Sequence, residues 1–144
     1  MAAIRHQINI DAPLRKVWKA LTTVEGVTSW WVDEARLDAQ SGGRIVLVSE
    51  DDDGNPLEEI GIFVSVRPTR KIEIKWDNVG STPTKGTTVT FQLARFREET
   101  RVSVVHTGAA ILEDEELAST LHKDWKGALS ALRTSLEGTA NETS

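Results

Sequence analysis

Apolar and polar positions along this chain follow two different periods, and the changes between them mark out the elements. From Ile4 to Ile10 the residues alternate, with Ile4, His6, Ile8 and Ile10 on one face and Arg5, Gln7 and Asn9 on the other, which predicts a half-buried strand. Asp11 and then Pro13 read as an N-cap with a proline in the first turn, and Val17, Trp18 and Leu21 recur at helical spacing up to Thr22. Gly26 interrupts before the segment from Val27 to Val32, where the adjacent indoles of Trp30 and Trp31 lie on a second short helical turn or its exit. Two neighbouring indoles need an apolar surface to rest on.

Beyond Val32 the period becomes two. The turn signals SGG at 41–43, DDDGNP at 51–56, RPTR at 67–70 and the stretch 80–86 separate strands of an antiparallel meander. Ile45 with Leu47, Ile72 with Ile74 and Trp76, Val89 with Phe91 and Leu93, and Val102 with Val104 and His106 should share one face. The segment 60–66 is apolar at nearly every position, so its register stays open, and Phe63 marks either a bulge or a covered outer face. Val46 and Val48 make their strand apolar on both faces, which suggests that a second copy covers part of the outer surface.

The last element is a long helix. Leu117, Leu121, Trp125, Leu129, Leu132 and Leu136 form one apolar stripe, the acidic run 113–116 suits the N-terminal end of the dipole, and Gly138 is placed to follow the last turn. Residues 1–138 then make a single domain and 139–144 a polar tail. The order is strand, two short helices, six strands, long helix. A twisted sheet with one apolar face needs a cover, and a single helix across it leaves space at the sheet's centre for a small apolar ligand.

Composition narrows the functions. At 39% hydrophobic and 27% charged residues the chain is globular, and no apolar run approaches the roughly 20 residues of a membrane span. The N-terminus lacks the apolar stretch and cleavage site of a secretory signal, so a cytoplasmic location is expected. Without cysteine there is no disulfide, thiolate zinc site or thiol chemistry. A net charge of -5 with scattered Lys and Arg argues against nucleic acid.

The opening INIDAPLRKVWKALTTVEGVTSWW, the turn GGRI, the segment VRPTRKIEIKW, the strand TRVSVVHTG and the ending W-x3-L-x2-L-x3-L-E resemble the START-like, or SRPBCC, superfamily. Within it the chain is similar to the family named for the activator of the heat-shock protein 90 ATPase, over residues 8–137. The resemblance implies an α+β helix-grip fold: a curved antiparallel sheet of about seven strands, two short helices after the first strand and a long C-terminal helix over the sheet. Relatives of this type bind lipids, hormones or polyketides, act as cochaperones in the stress response, or in a few cases catalyse reactions. The family pattern often has Gly before the tryptophan of the last helix, whereas here Asp124 precedes Trp125 and Gly127 follows it.

Candidate chemistry is sparse. His6 and His106 lie on apolar strand faces and become neighbours if the first and last strands pair, while His122 lies about 60° around the last helix from Trp125. That is too few ligands for a zinc site, and neither a metal nor a cofactor is expected. Arg44, Arg95 and Arg101 could clamp a carboxylate, but alternation puts Arg101 outside with Ser103. The acidic run 50–53 with Gly54 lacks the spaced ligands of a calcium loop and reads as a hairpin turn. The favoured expectation is a small hydrophobic or amphipathic molecule, such as a lipid, held by Val64, Ile74, Trp76, Phe91, Val104, His106, Trp125 and Leu129. One alternative is a cochaperone-like domain acting on a chaperone or another protein. The other is a cyclase- or hydrolase-like enzyme, for which no catalytic residue stands out because Glu73 alternates to the outside.

Overall fold

Strand alternation is realised from the first element. In a computed structural model, which describes residues 3–50, 53–76 and 86–142, β1 (Ile4–Ile10) buries Ile4 and Ile10 and exposes Arg5 and Gln7. The helices α1 (Leu14–Thr22) and α2 (Val24–Thr28) follow, then β2 (Glu34–Leu37), β3 (Arg44–Glu50), β4 (Pro56–Arg67), β5 (Lys71–Trp76), β6 (Thr88–Phe96) and β7 (Glu99–Thr107). A short α3 (Ala109–Glu113) leads into α4 (Glu115–Glu142). The seven strands form one antiparallel sheet in the order β1-β7-β6-β5-β4-β3-β2. The first and last strands therefore pair at one edge of the sheet, with β2 at the other, and the long helix follows β7.

Four expectations are corrected. Asp11 caps no helix: α1 starts after Pro13 without a side-chain cap, and the Asp11 backbone N–H donates instead to Glu137 Oε2 at 2.8 Å. Gly26 does not interrupt but lies inside α2, where Thr23 is the N-cap and accepts from the Gly26 N–H at 2.9 Å. A Cβ on Gly26 would collide with the Lys19 carbonyl and stand 2.6 Å from the Ala20 Cα, so glycine lets α2 pack against the end of α1. Gly138 does not end the last helix, whose backbone continues to Glu142. Residues 51 and 52 of the acidic turn and 80–85 of the β5–β6 connection lie outside the described residues.

The fourth correction concerns Val64. The register of β4 against β5 shifts between Phe63 and Ser65, so Phe63 pairs with Ile74 and Val66 with Ile72 while Val64 is the extra residue. Gly61 and Phe63 pair with the inward Trp76 and Ile74, so alternation leaves Val64 outside, 50% exposed and away from the last helix, and the bulge turns Val66 back to the inner face beside Ile72. A segment apolar on both faces could not announce where its register would slip.

In α4 the apolar stripe behaves as its spacing requires. Leu121, Trp125, Leu129 and Leu132 are buried, Leu117 and Leu136 partly so, and each fully buried side chain contributes roughly 1.5–3 kcal/mol. Asp114 caps the helix, its Oδ1 accepting from the N–H groups of Glu116 and Leu117 at 3.0 and 3.1 Å. Ser135 Oγ donates to Ser29 Oγ at 3.1 Å, tying the helix to the end of α2.

Gly127 is exposed, and a Cβ there would meet nothing within 4 Å. Gly127→Ala is therefore expected to stabilise the fold by a few tenths to about 1 kcal/mol, through reduced backbone freedom of the unfolded chain. Urea denaturation checks this; a destabilised variant would mean that the helix needs glycine at this position.

Candidate functional site

Between the sheet and α4 the space is occupied by rings. Trp31 stands at the centre, its centroid 5.1 Å from Trp30, 5.6 Å from Phe91, 5.7 Å from Trp125 and 6.3 Å from Trp76. Phe91 meets Trp125 edge-on at 5.6 Å. Each contact has an elementary origin. The loop after α2 delivers Trp30 and Trp31 together, β5 and β6 place Trp76 and Phe91 on the inner face, and the helical stripe brings Trp125 down from above. Trp76 pairs across the sheet with Gly61, where no side chain obstructs the indole.

The indoles of Trp30 and Trp125 and the His106 imidazole find partners in this interior. The Trp30 indole N–H donates to the Ala20 carbonyl at 2.8 Å. The Trp125 indole N–H donates to His106 Nδ1 at 3.1 Å, and His106 Nε2 lies 2.8 Å from Thr87 Oγ1. Because an indole nitrogen can only donate, Nδ1 must be the unprotonated nitrogen; the network assigns the imidazole proton to Nε2, which donates to the Thr87 hydroxyl. His106 and Thr87 are 2% and 0% exposed, and burial lowers the His106 pKa to about 4, so the ring is neutral under ordinary conditions. With both nitrogens engaged it has none to offer a substrate.

Of the expected contact residues, Ile74, Trp76, Phe91, Val104, His106, Trp125 and Leu129 are all buried, and Val64 is not among them. The sequence reading missed Trp31 and Thr87. Trp31 was signalled by the doubled tryptophan, whereas Thr87 carried no sign, since threonine beside a turn is commonplace. His6 and His106 are not partners: in the β1–β7 register Ile4 faces His106 and His6 faces Val104. His6 meets His122 instead, with Nε2 and Nδ1 3.0 Å apart, and its pKa is lowered by partial burial, then by His122 and Lys126. Glu73 is on the outer face, its Oε1 3.9 Å from the Lys71 amine. No group of three or more His, Asp or Glu able to hold a metal occurs among the described residues.

On the other side of the sheet, β3 and β4 place Val46 opposite Ile60, with Ile62 and Val64 39% and 50% exposed. Val46 and Val48 also line a groove of about 630 Å³ with Val24, Thr28 and the edge strand β2. No described helix is long and apolar enough to cross a membrane.

An antiparallel sheet gripping one long C-terminal helix, with two short helices between its first two strands, defines the helix-grip class. The model of the family described as "Activator of Hsp90 ATPase homolog 1-like protein" matches residues 11–137, and the chain belongs to that family. Among solved structures it is similar to a protein from Nitrosomonas europaea, at 19% identity and a TM-score of 0.84 over 97% of each chain. It is also similar to the Aha1 dimer from Colwellia psychrerythraea, at 22% identity and 0.76 over 95% of this chain and 97% of that one. An AHSA1-like protein from Aeromonas hydrophila gives 18% and 0.79, over 96% and 94%. At these identities the likeness is one of fold. No curated protein matches the chain.

The His106 network fixes a pH dependence. In the unfolded chain the imidazole titrates near 6.5, and in the folded protein near 4, so between these values the unfolded state binds the proton first. The contribution is present above pH about 6.5 and is lost as the pH falls towards 4, amounting to about 3 kcal/mol when complete. His106→Gln, which keeps an acceptor for Trp125 and a donor for Thr87, is expected to flatten the loss of stability measured between pH 7 and 5. An unchanged slope would mean that other groups carry it, His6 first among them.

Proposed function

We propose that this chain is a cytoplasmic protein-interaction domain of the cochaperone kind, acting on an Hsp90-type chaperone. What carries the reading is the contrast between the two sides of the sheet. Inside, the aromatic rings pack on one another and the His106 and Trp125 donors and acceptors are spent. Outside, Ile62 and Val64 of β4 face solvent beside the partly exposed Val46 and Val48 of β3, a feature typical of surfaces that meet other proteins. Family membership supports the choice of partner.

Self-association is a second use of the same outer face. The protein from Colwellia psychrerythraea is a dimer, and in this chain the exposed Ile62 and Val64, beside Val46, are the apolar side chains that such a contact would use. A cyclase- or hydrolase-like reading lacks a base, because His106 is doubly engaged and Glu73 points away from the interior. Binding of a small hydrophobic molecule has one supporting observation: Trp31, at the centre of the ring cluster, is only partly buried. A ligand would enter by displacing that indole.

Pull-down from the native lysate should recover an Hsp90-type chaperone reproducibly, and the chain should raise its ATPase rate. Absence of such a partner removes the reading. Ile62→Glu, a surface change worth only about 0.5 kcal/mol to the fold, is expected to abolish capture, and light scattering of the same pair of proteins reads self-association. Failure of the variant to alter either would exclude this face. For the small molecule, a thermal-shift screen of hydrophobic compounds should raise Tm and quench tryptophan fluorescence together; no response from any compound leaves the interior as packed core.

A further inference from the structure

A second groove lies on the outer face at the far end of β5, β6 and β7. It has a volume of about 360 Å³ and is lined by Arg67, Arg70, Lys71 and Arg101 around a floor of Gln92, Ala94 and Ser103. The sheet register explains the convergence: Lys71, Gln92 and Ser103 stand side by side across three strands, and Arg101 is paired with Ala94 in the next row. Four cations collect here in a chain whose net charge is -5. The nearest acidic side chains along the same strands are Glu73, which approaches Lys71 at 3.9 Å, and Glu99. Neither Arg67, Arg70 nor Arg101 forms an ion pair among the described residues.

Arg101 is held in place, and the backbone that carries Arg67 and Arg70 is fixed beside it. The guanidinium of Arg101 rests 3.8 Å from the Phe96 ring centroid, and its Nε donates to Asn9 Oδ1 at 3.2 Å, so the plane is fixed while the two terminal nitrogens keep their donors. Arg67 and Arg70 flank a tight turn closed by the Arg70 N–H to the Arg67 carbonyl at 2.9 Å, and the Arg70 carbonyl accepts from the Leu93 N–H at 2.8 Å. A fixed planar fork with two further arginines beside it matches carboxylates presented in succession.

We infer that this groove binds an acidic segment of a protein partner, its carboxylates received by Arg67, Arg70 and Arg101. A short anionic segment fits better than a nucleic acid, because the rest of the surface is acidic and repels an extended polyanion, whereas a few carboxylates engage only the local charge. The inference is independent of the chaperone reading, since an acidic peptide alone tests it.

The measurement is fluorescence anisotropy of a labelled oligo-glutamate peptide at low ionic strength, against the full chain and against Arg67→Glu/Arg70→Glu. Saturable binding that weakens as sodium chloride is added is expected, with a roughly tenfold loss of affinity in the charge-reversed variant and an unchanged Tm. Arg101→Lys, which keeps the charge but not the fork, should weaken binding several-fold. Absence of saturable binding, or equal binding by wild type and the charge-reversed variant, overturns the proposal. Inorganic phosphate is the control for a free anion: if it competes as tightly as the peptide binds, the groove is a small-anion site and the peptide assignment fails.

Discussion

A buried indole N–H has to find an acceptor, and in this protein the solution organises the interior. Trp125 donates to His106, which fixes the imidazole as its Nε2–H tautomer and obliges it to donate onward to Thr87. The chain of bonds links the centre of α4 to the end of β7 and the start of β6. A helix held by apolar contact alone could slide or rotate at little cost, whereas one bound through a buried donor cannot do so without leaving that donor unpaired, at a cost of about 1–3 kcal/mol. Protonation of His106 would break the same link, which is why burial and chemistry both keep the ring neutral.

The rest of the helix is secured from its ends. Asp114 caps the N-terminus, and near the other end Glu137 accepts the Asp11 backbone N–H just after β1. That bond gives the glutamate at the close of the W-x3-L-x2-L-x3-L-E pattern a physical role: it joins the last helix to the first strand, and β1 in turn pairs with β7 directly before the last helices. The two ends of the sequence thus stabilise one another.

The two faces of the sheet divide the labour. The inner face uses its aromatic area and the His106 hydrogen bonds to hold α4. The outer face is divided along the strands, apolar over β3 and β4 and basic where the β4–β5 turn and β7 converge. Apolar area supplies affinity and fixed charge supplies selectivity in protein interfaces generally.

Much of this was legible in the sequence. Period-two alternation in β1, β3, β5, β6 and β7 and the leucine stripe of α4 determined which residues face inward, because side-chain direction follows directly from backbone geometry. The motifs from Ile8 to Glu137 carried the fold and family. What the sequence could not decide were the contacts between elements. Val64 looked like a core residue until strand pairing put Phe63 on the inner face and left Val64 on the outer one, and His6 looked like a partner of His106 until strand pairing set them two rows apart and α4 brought up His122. Thr87 became a hydrogen-bond terminus and Arg101 a member of a basic groove only because distant strands carried their neighbours to them. Local pattern fixes which way a side chain points; what it meets there depends on register and helix docking, and those are settled by the packing of the whole.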